Sequence, residues 1–124
     1  MYTAREQIHQ FTDSGAAALV VLTDLLPLTE QVIALTSIET VISTHAIDLI
    51  SPQSLPDSTL PCLIDLNHAL QLGANYELPW PDMGMHDLTV LQCTGGTTGP
   101  AKGAMLTHGN IYTGMRISKL RVAL

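Results

Sequence analysis

Thr94-Gly95-Gly96-Thr97-Thr98-Gly99-Pro100-Ala101-Lys102-Gly103 places four glycines, three threonines and one lysine directly behind the apolar run Leu88-Thr89-Val90-Leu91-Gln92-Cys93. Glycine has no Cβ, so successive backbone N–H groups can turn toward one point and form a concavity that attracts an anion. Thr94, Thr97 and Thr98 add hydroxyls that can donate to phosphate oxygens, and Lys102 adds a mobile positive charge. An ordinary surface turn has no use for threonines and a lysine interleaved with glycines. The stretch reads as a loop for the phosphates of a nucleoside triphosphate, and only its place in that loop directs Lys102 at a β- or γ-phosphate.

The spacing separates this loop from the two commonest nucleotide loops. A Walker loop needs Gly-Lys-Ser/Thr leading into a helix, whereas Lys102 stands between Ala101 and Gly103 and is followed by Ala104-Met105-Leu106-Thr107. The dinucleotide fingerprint fails as well, because Gly95, Gly96 and Gly99 have the wrong intervals and no acidic residue follows about twenty positions on. Upstream, Leu88–Cys93 has strand character; downstream, Ala104–Leu106 reads as a short strand. The loop is thus expected to join two strands. A helix is expected from Thr107 or His108 through Ile111, Met115 and Ile117 to Leu120, with Lys119 and Arg121 at its negative end. Thr107-His108-Gly109-Asn110 resembles a helix start, so His108 is assigned to the cap rather than to a nucleotide.

Further out, Thr3-Ala4-Arg5-Glu6 has the form of a capping box, with Ile8 and Phe11 as an apolar stripe and Gly15 as a left-handed stop after Ser14. Ala16–Leu22 is an unbroken apolar run of strand length, expected to be a parallel strand covered on both faces. A short helix is expected from Pro27 to Leu35, a second strand at Thr40–Ser43, and a surface connection over Ser51–Ser58. Ile64–Leu72 reads as a helix stopped by Gly73. Pro79-Trp80-Pro81 marks a junction, with Trp80 as its packing anchor. The chain divides on this reading into an α/β, Rossmann-like sub-structure over 1–73, a junction over 74–87, and the loop hairpin with its helix over 88–124.

The 124 residues suffice for one small core, and 46% hydrophobic against 13% charged residues is a globular composition. Five basic and eleven acidic residues give a formal charge of −6, which would repel a polyphosphate strand and excludes nucleic acid as a partner. Any attraction for phosphate has to be local. Cys62 and Cys93 are read as free, buried thiols, and the five histidines lack metal-ligand spacing. No apolar run reaches the roughly 20 residues that span a bilayer, and Met1–Arg5 lacks a basic-then-apolar leader, so a cytoplasmic location is expected.

From Thr94 to Gly103 and on through Ala104-Met105-Leu106-Thr107-His108-Gly109-Asn110, the sequence resembles the signature loop of the AMP-forming acyl-CoA synthetases and their adenylate-forming relatives. Ala101 before Lys102, the run Gly103–His108, and the segments Tyr2–Glu6 through Asp13–Ala16 are similar to bacterial long-chain fatty-acid–CoA ligases. Two positions depart from the pattern: Cys93 stands where an aromatic residue is usual, and Gly109 where that subgroup usually has a larger side chain. The resemblance implies an α/β fold, part of the N-terminal domain of an adenylate-forming enzyme, in which a parallel βαβ unit precedes a strand–phosphate loop–strand–helix segment. It implies ATP and Mg²⁺ as cofactors, coenzyme A as co-substrate and a fatty acid as substrate, with peripheral membrane contact open to the full-length enzyme. Thr94, Gly95, Gly96, Thr97, Thr98, Gly99 and Lys102 are the nucleotide-binding candidates, with Thr98 as an indirect contact to magnesium. No complete catalytic set is expected, because the family's metal-binding acid, ribose-binding aspartate and mobile lysine belong further along than Leu124; a fragment cut at both ends is the expectation. Two alternatives stand beside it: a non-catalytic nucleotide- or anion-binding module, and an adenylation segment for another carboxylic acid.

Overall fold

The computed structural model describes residues 3–48, 50–51, 53, 57–94 and 102–122. These fall into two compact units, Met1–Leu78 and Pro79–Leu124.

In the first unit, helix α1 spans Ala4–Ser14 and begins in the capping box read from the sequence. Thr3 Oγ1 accepts from the Glu6 backbone N–H at 3.4 Å, and Glu6 Oε2 accepts from the Thr3 N–H at 2.7 Å, so donors left without helical partners are satisfied locally. The helix ends at Gly15, whose φ of 63° lies in the left-handed region that only glycine enters without a Cβ penalty. Strand β1 (Ala18–Leu22), helix α2 (Leu26–Val32, flanked by single 3₁₀ turns at Thr23–Leu25 and Ile33–Leu35) and strand β2 (Thr40–Thr44) follow. Pro27 sits in the first turn of α2, where its missing N–H has no helical acceptor to lose. The α/β class is thereby established: β1 and β2 run parallel in register Leu19 to Val41, a βαβ unit, and β3 (Leu63–Asp65) adds a third parallel strand on the far side of β2.

Side chains alternate across this sheet, and the two faces differ. Leu19, Val41 and Leu63 lie in one row facing Leu26 of α2, Ile38 and Phe11 of α1, and this is the core; Val41 is fully buried and Leu26 only 3% exposed. On the opposite face Val20 is 63% exposed. Among the described residues β1 is thus covered on one face, not both, because the α1 and α2 side chains reach only the Leu19–Val21 row. A further expectation gives way around residue 64. Leu63-Ile64-Asp65 forms β3 instead of the first turn of a helix, since the parallel ladder to Val41-Ile42-Ser43 satisfies its backbone. Helix α3 then runs Leu66–Gly73, capped by Asp65, whose Oδ1 accepts from the His68 N–H at 2.7 Å. The helix ends at Gly73, where the sequence placed its stop, and Ala74 follows with φ −60°. Trp80, in the second unit, is 96% exposed, so no described residue of its own unit packs over it as an anchor.

Asp48 carries the turn after β2. It is 4% exposed, its Oδ2 accepts from the His45 N–H at 2.6 Å and its Oδ1 from the Gln53 N–H at 3.1 Å. The His45 backbone donor, followed by that of Gln53 and by the Thr44 hydroxyl, holds this carboxyl below the usual aspartate value against the opposing effect of burial. Glu30 is lowered likewise, first by the Ser58 hydroxyl at 2.6 Å and then by the Thr59 N–H at 3.2 Å. A carboxylate whose folded value is depressed contributes stability above its unfolded value and loses it as pH falls through the folded one. The first unit is therefore expected to lose stability as pH drops below about 4. In Asp48→Asn the amide can accept from only one of the two backbone donors; stability at neutral pH should fall and its acid dependence flatten, as urea midpoints measured by circular dichroism from neutral pH to about pH 3 would reveal.

The second unit contains strand β4 (Leu88–Thr94), strand β5 (Lys102–Thr107) and helix α4 (His108–Val122). Among the described residues no helix is long and apolar enough to cross a membrane.

Candidate functional site

β4 and β5 pair antiparallel from Leu88–Thr107 to Thr94–Lys102, with one extra residue on β4 between Leu88 and Val90. The strand-to-strand connection read from the sequence is present, and with it the departure from Walker loops, whose lysine opens a helix. Facing residues of an antiparallel pair project from the same side of the sheet. Thr94, Lys102, Gln92 and Ala104 thus share one face, and Cys93, Gly103, Leu91 and Met105 the other.

Of the candidate site residues, the structure places Thr94 and Lys102 and brings them together as the last pair among the described residues of the hairpin. Both are exposed, and the Thr94 hydroxyl donates to the Lys102 backbone carbonyl at 3.2 Å. Gly95, Gly96, Thr97, Thr98 and Gly99 lie outside the described residues. Cys93 is a free, half-buried cysteine one residue before Thr94, and Cys62 is likewise free and half-buried, each less enclosed than the sequence led one to expect.

The outer end of the hairpin is fastened by contacts that the sequence reading did not identify. Gly84 N–H donates to Asp87 Oδ2 at 2.7 Å, forming a side-chain-closed turn just before β4. The first two N–H groups of α4 then find backbone acceptors in that turn: His108 N–H donates to the Asp87 carbonyl at 3.1 Å and Gly109 N–H to the Met85 carbonyl at 2.8 Å. Thr107 supplies the cap. Its hydroxyl accepts from the Asn110 N–H at 3.3 Å, while Asn110 Oδ1 accepts from the Thr107 N–H at 2.9 Å, a capping box with asparagine in the glutamate position. His108 therefore belongs to the helix start. A Cβ built on Gly109 would lie 2.9 Å from the Met85 carbonyl oxygen, so the close approach of two backbones accounts for glycine there. The sequence signal was the pair Thr107 and Asn110 three residues apart.

Charge is divided as unevenly as the fold. Residues 79–124 hold four basic residues, Lys102, Arg116, Lys119 and Arg121, against Asp82 and Asp87, a formal +2; residues 1–78 hold Arg5 alone against nine acids, a formal −8. The unit that presents Lys102 carries the positive surplus, which favours an anion at the hairpin although the whole chain is acidic. Among the described residues no group of three His, Cys, Asp or Glu side chains is placed to hold a metal ion.

An α/β chain whose hairpin ends face each other as threonine and lysine across a glycine–threonine loop fits one class of nucleotide-handling enzymes. The chain matches the family described as AMP-binding enzyme over residues 1–123, and it belongs to that family. It is 38% identical over 129 residues to the long-chain-fatty-acid–CoA ligase of Salmonella typhimurium, covering 93% of this chain and 23% of that protein. The corresponding ligase of Haemophilus influenzae is 38% identical over 127 residues, covering 91% of this chain and 23% of its own, and that of Bacillus subtilis 73% identical over 26 residues, 21% of this chain and 5% of its own. The chain thus spans about a quarter of the length of the first two of these relatives.

Proposed function

We propose that the β4–β5 hairpin is the triphosphate-binding element of an ATP-dependent, AMP-forming acid–thiol ligase acting on long-chain fatty acids, and that the 124-residue chain does not complete the reaction alone. The observation that carries this reading is the Thr94–Lys102 pair, which sets a hydroxyl and an ammonium at the two ends of residues 95–101 in the positively charged unit. In the reaction, a fatty-acid carboxylate oxygen forms a bond to the α-phosphorus of ATP as the bond to pyrophosphate breaks. The sulfur of coenzyme A then bonds to the acyl carbon and AMP departs. Lys102 supplies a positive charge for the β- and γ-phosphates, where negative charge accumulates on the leaving pyrophosphate. The amides of Gly95, Gly96 and Gly99 and the hydroxyls of Thr97 and Thr98 supply neutral donors for the same oxygens. Ammonium groups suit phosphate better than a bare cation, so magnesium would be held chiefly by the phosphates, with Thr98 as an indirect contact. When bound, magnesium supplies further screening of the phosphate charge. The complete enzyme is placed in the cytoplasm by the same reading, with membrane contact, if any, peripheral.

Calorimetric titration with MgATP tests the binding half of the proposal. The expected result is saturable binding that Lys102→Gln weakens by about tenfold or more, the usual loss when a charged hydrogen-bond donor is removed. Equal affinity for both proteins would refute it. The chemical half is tested by replacing the matching region of the Salmonella typhimurium ligase with residues 1–124 and measuring pyrophosphate release. Release that depends on a long-chain fatty acid supports the substrate class, whereas a folded chimera that responds only to another carboxylic acid assigns a different one. Pyrophosphate release by the isolated chain itself would contradict its proposed dependence on the rest of the enzyme.

A further inference from the structure

We propose that Thr94 is a positioning residue: its hydroxyl fastens the loop end of the hairpin to the Lys102 backbone instead of ligating phosphate. The inference rests on the triphosphate reading of residues 95–101 and changes the part Thr94 plays in it. A threonine hydroxyl has one proton, and a phosphate oxygen, being an anionic acceptor, requires a donor. That proton is directed at the Lys102 carbonyl at 3.2 Å, so while the bond stands Thr94 has nothing to donate to phosphate. The pair is the last among the described residues of the ladder, with seven residues, 95–101, between its members. Terminal pairs are the first to open, and opening this one would lengthen the connection to nine residues and release the backbone from which the Lys102 ammonium extends. The side chain closing it comes from a β-branched residue well suited to an extended backbone. Because Thr94 and Lys102 project from the same face, the clamp and the ammonium lie on one side of the sheet. Thr94 thereby sets the exit point of the loop and the origin of its only cation.

The test compares wild type, Thr94→Val, Thr94→Ser and Lys102→Gln in the full 124-residue chain, reading backbone amide exchange by NMR without ligand and affinity for magnesium tripolyphosphate. Thr94 is exposed, so the valine variant disturbs no core packing. In Thr94→Val, exchange at residues 93, 94, 102 and 103 is expected to accelerate about three- to tenfold, the worth of one neutral hydrogen bond, with tripolyphosphate affinity falling in parallel. Thr94→Ser restores both, and Lys102→Gln weakens binding while leaving exchange unchanged. Thr94→Val with wild-type exchange overturns the proposal, whether its affinity falls, which makes Thr94 a phosphate ligand, or stays the same. If the wild-type chain does not bind tripolyphosphate, the triphosphate reading fails, and the exchange comparison still decides whether Thr94 clamps the hairpin.

Discussion

Leu26→Ala is expected to lower the stability of the first unit by about 2–5 kcal/mol, the range for truncating a buried leucine, against a total of roughly 4–12 kcal/mol for a unit of this size. Leu26 is 3% exposed and forms the core with Ile38 and Val41, so its removal leaves a void inside that cluster. Neither α2 nor β2 can close around it. Proline at 27 fixes the first turn of the helix, and β2 is held by ladders on both sides. Urea unfolding followed by far-ultraviolet circular dichroism checks this. At a slope of about 1 kcal/mol per molar urea the midpoint should fall by about 2 M or more, or the unit should be unfolded at the outset. Val20→Ala is the matched control on the open face of β1: at 63% exposure its effect is expected to stay within about 0.5 kcal/mol. Equal shifts for the two variants would mean that the core does not lie on the Leu19–Val41–Leu63 side.

The elements legible in the sequence were those announced by local chemistry. Thr3, Glu6 and Gly15 delimit α1 because a capping box and a left-handed glycine act within one turn of chain. The apolar run of β1 and the helix start at Pro27 are local in the same sense. What escaped depended on distant partners. Leu63-Ile64-Asp65 is too short to show a period, and it is a strand because β2 offers a free edge 22 residues earlier in register. The exposed face of β1 was misjudged because a continuous apolar run states that both faces are hydrophobic and not which of them the α1 and α2 side chains cover. At the candidate site, the resemblance carried by Thr94–Asn110 was enough to name the family. The hydrogen bond from Thr94 to the Lys102 carbonyl could not be read that way, since it depends on strand register; nor could the reason for glycine at 109, which depends on where the Met85 carbonyl passes.

Gly109→Ala separates helix propensity from that close approach, because the two effects have opposite signs. Alanine is favoured over glycine in a helix interior by about 1 kcal/mol, and on propensity alone the variant should be more stable. The gain is smaller at the second residue of α4, where the backbone is only partly committed to the helix. Opposing it, the new methyl carbon would lie 2.9 Å from the Met85 carbonyl oxygen, a backbone atom that cannot rotate away. Relief requires the turn before β4 to withdraw from the start of α4, which lengthens the 2.8 Å bond from Gly109 N–H and the 3.1 Å bond from His108 N–H together. Overpacking of this kind costs about 1–3 kcal/mol, so the clash outweighs the propensity gain and the variant is expected to be less stable. Gly109→Val adds a branched side chain at the same point and should lose more. The two backbone bonds are also what holds the outer end of the β4–β5 hairpin, so the disturbance should travel to the strands that carry Thr94 and Lys102. Amide exchange at His108 and Gly109 should accelerate in Gly109→Ala, with a smaller rise at the Leu88–Thr107 pair, where β4 and β5 meet that end. A higher thermal midpoint with slower exchange at residue 109 would show that the turn yields freely, and that glycine there reflects neither the close approach nor the seating of the hairpin.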